Sequence, residues 1–129
     1  MLMYYPHKEI LMLQADSVFK AIAHPTRRSI ISLLAISARS VKDLTAEFDI
    51  SQSAISQHLR ELKDADLVTA DKVGLEQHYR LTPRPLKHVL EWSEKYRTLI
   101  DPSGHAWSFT KARGKPAVKQ PARRKRNGR

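Results

Sequence analysis

The sequence predicts a mostly α-helical domain with one small β-hairpin, and three observations carry that reading. Val41, Leu44 and Phe48 recur at i, i+3 and i+7, and Ile55, Leu59 and Leu62 repeat at helical spacing just beyond them. Two short amphipathic helices therefore stand in tandem between Ser40 and Leu67. After Leu67 the period changes from helical to alternating: LVTADKV and EQHYRL read as two strands around Gly74-Leu75. Longer apolar-periodic stretches before and after this unit predict flanking helices.

Taken in order, a first helix is expected from about Lys8 to Ala23, with Val18, Phe19 and Ile22 on its core side. His24-Pro25 ends it. Proline suits the first turn of a new helix, so TRRSIISLLAIS continues as a second, with Ile30, Leu33 and Leu34 inward. The tandem pair follows. Asp49-Ile50-Ser51 makes a tight turn, and Ser51 can cap the next helix by accepting from a free amide two or three residues on. Ala65-Asp66-Leu67 stops that helix, because aspartate tolerates the left-handed backbone better than most residues. Pro83 and Pro85 open a last long helix from Leu86 to about Ile100. Its residues Leu86, Val89, Leu90, Trp92, Tyr96, Leu99 and Ile100 cover an arc too broad for the margin of a small monomer. They point to a surface buried against a second chain; the competing reading is packing on the domain's own core.

Composition narrows the function. The chain has 129 residues, no cysteine and a net charge of +10. Without thiols there is no disulfide framework, zinc ribbon or thiol catalysis. No apolar run approaches a membrane span, and the start of the chain lacks the pattern of a cleaved leader, so a cytoplasmic, nucleoid-associated location is expected. The charge is unevenly placed. Residues 1–102 hold 14 Lys/Arg against 13 Asp/Glu, whereas residues 103–129 hold nine Lys/Arg and no acid. This divides the chain into a nearly neutral folded domain, 1–102, and a basic tail, 103–129, whose composition predicts disorder. The basic pI is therefore no argument that the folded part binds nucleic acid.

Two short helices joined by a tight turn form a helix-turn-helix, and a following hairpin makes it winged; the second helix of such a unit can enter a DNA major groove. Projected at about 100° per residue, Leu59 and Leu62 lie within about 40° of Ile55. Ser53, Ser56, Gln57, Arg60 and Asp64 fall on the far side. Short hydroxyls permit close approach to a duplex, Gln can pair with adenine, and Arg with guanine or phosphate. Gln52, Ser53, Ser56, Gln57 and Arg60 are accordingly the expected DNA contacts of this helix, the alternative being an ordinary solvated face. On the hairpin only Lys72, His78 and Arg80 can reach phosphates. Arg27 and Arg28 sit in the first turn of their helix, where a cation opposes the helix dipole. A DNA phosphate and an intramolecular carboxylate are equally good explanations. His58, about 60° from the core direction, reads as a packed structural residue. No nucleophile triad, glycine-rich phosphate loop or carboxylate cluster marks an enzyme.

FKAIAHPTRRSIISLL, then LTAEFDISQSAISQHLRELKDADLV, then QHYRL, in that order and spacing, resemble the ArsR/SmtB family of bacterial winged-helix repressors over roughly residues 14–100. The resemblance implies a homodimer formed by the first and last helices, with Phe19 of the first joining Leu86, Val89, Leu90, Trp92, Tyr96 and Leu99 of the last at the interface. It also implies that a recognition helix from each subunit reads one half of a roughly palindromic operator. Many members release DNA on binding a metal. Here the helix VKDLTAEF has no cysteine for the family's thiolate site. The last helix offers His88, Glu91 and Glu94, with His105 beyond, which does not match the family's paired Asp and His. The chain thus resembles the metal-independent branch, with no metal, no cofactor and an unknown effector. Two further functions stay in view: an architectural nucleic-acid binder working through the tail, and a metal-responsive repressor built on the histidines.

Overall fold

A computed structural model describes residues 6–104; the expected tail beyond Gly104 lies outside the described residues. The elements run α1 (Pro6–Ile22), α2 (Pro25–Ile36), β1 (Arg39–Ser40), α3 (Val41–Thr45), α4 (Gln52–Asp64), β2 (Val68–Val73), β3 (Glu76–Leu81), a 3₁₀ turn (Arg84–Leu86), α5 (Lys87–Glu94) and α6 (Arg97–Ile100). This is a winged helix-turn-helix. Val18, Ile30, Leu44, Ile55, Leu59, Leu62 and Leu67 are fully buried, so every helix from α1 to α4 sends a side chain into one core. Each such residue contributes about 1.5–3 kcal/mol over leaving it in water.

Local chemistry sets the boundaries. His24 caps α2 with its ring, Nδ1 accepting from the Thr26 amide at 3.1 Å, and Pro25 takes the first helical position. Ser40 and Asp43 form a capping box on α3: Ser40 Oγ accepts the Asp43 amide at 3.1 Å, and the Ser40 amide donates to Asp43 Oδ2. Helix α3 is shorter than expected. It ends at Thr45, and Phe48 packs on the core from the turn rather than from a helical face. The amides of Glu47 and Phe48 bond three residues back, tightening the chain out of α-helical register. Ser51 caps α4 through the Ala54 amide at 3.1 Å. At the other end Asp66 adopts φ +59, Leu67 N–H reaches Leu62 O and Asp66 N–H reaches Lys63 O, both at 3.0 Å. That is a Schellman closure with aspartate in the left-handed position, sealed by the contact between buried Leu62 and Leu67.

The sheet has three strands in the order β1-β3-β2, all antiparallel. The hairpin has the expected register, Val73 opposite Glu76, and turns on Gly74 (φ +62) with Leu75 at negative φ, the II′ pattern. Strand β1 is the unexpected element: two residues carry no readable alternation, and only pairing with β3 defines them. The last helix departs most from expectation. It opens as a 3₁₀ turn around buried Pro85, and α5 stops at Glu94 before a separate short α6. Ser93 Oγ bonds back to Leu90 O at 3.0 Å, and the Tyr96 amide turns to Ser93 O, so the α-helical ladder is interrupted there.

Candidate nucleic-acid interface

Helix α4 is seated on Ile55, Leu59 and Leu62, all fully buried, which fixes its rotation. Gln52, Ser53, Gln57 and Arg60 consequently lie exposed on the outer face, with Ser56 half-buried beside them. Gln57 Nε2 donates to Glu61 Oε1 and Arg60 Nη1 donates to Gln57 Oε1, each at 3.4 Å. Exposed contacts of that length hold these side chains only loosely.

Arg27 is placed otherwise than expected. Within the chain its partners are backbone carbonyls and a histidine ring, not a carboxylate. Nε donates to Ala21 O at 2.6 Å and Nη2 to Lys20 O at 3.1 Å, while Arg28 Nη1 donates to Ile22 O at 2.7 Å. The two guanidinium groups satisfy the last carbonyls of α1, and the negative end of that helix compensates their place at the start of α2. Arg27 also reaches the recognition helix, Nη1 lying 3.3 Å from His58 Nδ1. Because arginine can only donate, His58 Nδ1 accepts and the neutral ring carries its hydrogen on Nε2. The His58 ring packs against His24 at 4.4 Å between centroids. Burial, then His24 and the Arg27 guanidinium, hold the His58 imidazole below its ordinary value, with Glu61 pulling weakly the other way. His58 is thus a structural tie between α4 and α2.

The wing's charges are largely spent on each other. Arg80 Nε donates to Asp71 Oδ2 at 2.8 Å, and His78 Nε2 lies 3.5 Å from Glu76. Lys72 has no hydrogen bond or ion pair among the described residues. The tip residue Leu75 is wholly exposed.

The residues expected between subunits divide into two groups. Leu86 and Val89 pack against the domain's own core. Leu90, Trp92, Tyr96, Leu99 and Ile100 stay exposed, Leu99 by 77%, and α1 adds exposed Ile10, Leu11, Met12 and Leu13. Phe19 meets Trp92 edge-on at 5.7 Å, and Trp92 meets Tyr96 at 5.4 Å, so an aromatic row links α1 to α5. His88, one of the histidines weighed as a metal ligand, is buried, and its Nε2 bonds Gln14 Oε1 of α1 at 3.0 Å. Among the described residues no group of three or more potential ligands is arranged to hold a metal, and no helix is long and apolar enough to cross a membrane.

Sequence reasoning missed the Ser40–Asp43 capping box, although the S-x-x-D spacing was there to find, and the His24 ring cap, for which no sequence signal exists.

Comparison with known proteins agrees with this geometry. The profile described as "Bacterial regulatory protein, arsR family" matches residues 24–70, from the cap of α2 to the first hairpin strand. The transcriptional repressor SdpR of Bacillus subtilis is 36% identical over 77 residues, spanning 60% of this chain and 86% of that protein. The arsenical resistance operon repressor of Escherichia coli is 34% identical over 112 residues, 86% of this chain and 87% of that protein. Among solved structures, the homodimeric winged helix-turn-helix DNA-binding domain of a possible ArsR-family regulator from Mycobacterium bovis superposes with a TM-score of 0.62. Its identity is 26%, covering 82% of this chain and 99% of that one. With that fold, that recognition helix and relatives matched over most of their length, the chain belongs to the arsR family of bacterial regulatory proteins, which are transcriptional regulators and not enzymes.

Proposed function

We propose that this protein is a homodimeric repressor that reads a roughly palindromic DNA operator with α4 of each subunit. The observation that carries the reading is the seating of α4. Three fully buried residues anchor one face, and the opposite face offers Gln52, Ser53, Ser56, Gln57 and Arg60, a set suited to base edges and to close approach. The exposed apolar residues of α1, α5 and α6 supply a surface that a second copy would cover, as the relatives' homodimeric domain suggests. Residues 1–102 form the DNA-binding and dimerising domain, and 103–129 act as a basic tail that adds phosphate contacts without sequence information.

Repression is independent of metal. His88 is tied to Gln14 inside the domain, and no cysteine is present to replace it. The site of action is the nucleoid in the cytoplasm. The test is an operator selected from a randomised duplex library, followed by Gln57→Ala. The substitution should cost about 1–3 kcal/mol on the selected operator and much less on random DNA. An equal loss on both would make Gln57 a backbone contact.

A further inference from the structure

The wing has two chemically different faces, and the pairing register assigns them. Directly opposed residues of antiparallel strands share a face. Thr69, Asp71, Val73, Glu76, His78 and Arg80 therefore lie on one side, where Arg80 is paired with Asp71 and His78 with Glu76. The other side carries Val68 and Leu81 against the core, then Ala70, Tyr79 and Arg39 in one row, then Lys72 and Gln77 toward the tip. That second face is the one whose inner residues Val68, Tyr79 and Leu81 pack on the helical core. It holds two cations and no acid.

Arg39 is the unusual one. It sits in the edge strand β1, opposite Tyr79 and immediately before the Ser40 cap of α3, where the wing joins the helix-turn-helix. Its Nε is buried and has no hydrogen-bond partner, the sole buried side-chain nitrogen or oxygen so placed among the described residues. Arg27 and Arg28 near the core and Arg80 in the wing all donate to groups of the chain itself. Nε itself is enclosed, but a guanidinium that donates to no group of the chain among the described residues can take an acceptor from outside at its accessible nitrogens. For a guanidinium the matching ligand is a forked anion such as a phosphate.

We infer that Arg39, with Lys72 on the same face, grips a DNA backbone phosphate beside the groove entered by α4. The inference rests on the DNA-binding reading above but names a contact that reading does not contain. It makes the unpaired face of the wing the DNA-facing one and leaves Arg80 and His78 as partners of the wing's own acids.

The experiment uses the full chain and a mixed-sequence DNA duplex, because a phosphate contact needs no operator. Log affinity is measured against log salt. Arg39→Gln should flatten the slope by about 0.9 per contact, about 1.8 for a dimer. Arg39→Lys should keep most of the slope. The charge-neutral double change Asp71→Asn with Arg80→Gln should leave it unaltered. In the wild-type protein, DNA should protect Arg39 from phenylglyoxal, a readout that needs no variant to fold. A wild-type slope in Arg39→Gln, or equal modification of Arg39 with and without DNA, overturns the inference. If the wild-type protein binds no DNA at all, the functional reading itself fails instead.

Discussion

Arg27 separates two readings of one residue, so its substitution is worth following closely. In Arg27→Ala the carbonyls of Ala21 and Lys20 lose donors at 2.6 and 3.1 Å, and His58 Nδ1 loses one at 3.3 Å. A charge-assisted bond is worth about 1.5–3 kcal/mol when well formed and enclosed. The short, half-buried bond to Ala21 deserves the lower end of that range. The contact to Lys20 is exposed and that to His58 is long, so solvent screening reduces each to about 0.5 kcal/mol. The total is about 2–3 kcal/mol. For a domain of this size that lowers the melting temperature by roughly 8–20 °C. Melting followed by circular dichroism should be read at one fixed protein concentration, since a dimer's midpoint depends on it. Arg27→Lys should recover a minor part, because one ammonium cannot span two carbonyls and a ring. Well below the new midpoint, the salt slope of DNA binding should match that of the wild type. An unchanged midpoint with a flattened slope would refute the cap and restore Arg27 as a phosphate contact.

Two further outcomes are expected. Trp92→Glu places a carboxylate in the aromatic row with Phe19 and Tyr96, on a face that is half exposed in one copy and that the proposed dimer would cover. Burying that charge is costly, so sedimentation should show monomers and operator binding should be lost; a variant that stays dimeric would move the interface elsewhere. His58 is held below its ordinary value of 6.5 in the folded state, so the unfolded chain takes up its proton first as pH falls. Its contribution to stability is complete above about pH 6.5, declines below it, and stops changing once the folded ring also protonates. His58→Gln, which keeps an acceptor for Arg27, should flatten the stability profile between about pH 7 and pH 5; a profile parallel to that of the wild type would show that His58 does not supply this dependence.

How far the sequence disclosed the fold follows from where each signal is stored. The inward rows of α2 and α4 were legible because periodicity is itself the record of burial: Ile30, Leu33 and Leu34, then Ile55, Leu59 and Leu62, were read as core and are core. The stop at Asp66 and the turn at Gly74 were legible because a positive φ narrows the choice of residue to very few. The last helix misled because its apolar arc reports only that many positions are covered, not by what. Leu86 and Val89 pack on the core of their own chain, while Leu90, Trp92 and Leu99 stay exposed, and the two groups look alike in sequence. The break after Glu94, where the Tyr96 amide turns to Ser93 O, is a local backbone conformation invisible to any periodic count.

The site followed the same division. The polar face of α4 was legible because it is the complement of an apolar row. The fates of the arginines were not, because each is decided by a partner distant in sequence or on another element. Arg27 and Arg28 were read as cations in search of an anion. They instead meet the carbonyl end of α1, six and seven residues back, which propensity reasoning within a single helix does not consider. Arg80 was read as able to reach phosphates, and nothing in the order of residues brings it to Asp71; the hairpin register does. Arg39 escaped notice because it lies in a two-residue strand that exists only through its pairing with β3. In a small domain with nearly balanced charge, which cations remain for a polyanion is settled by subtraction, after the fold has used the others, and that subtraction needs coordinates.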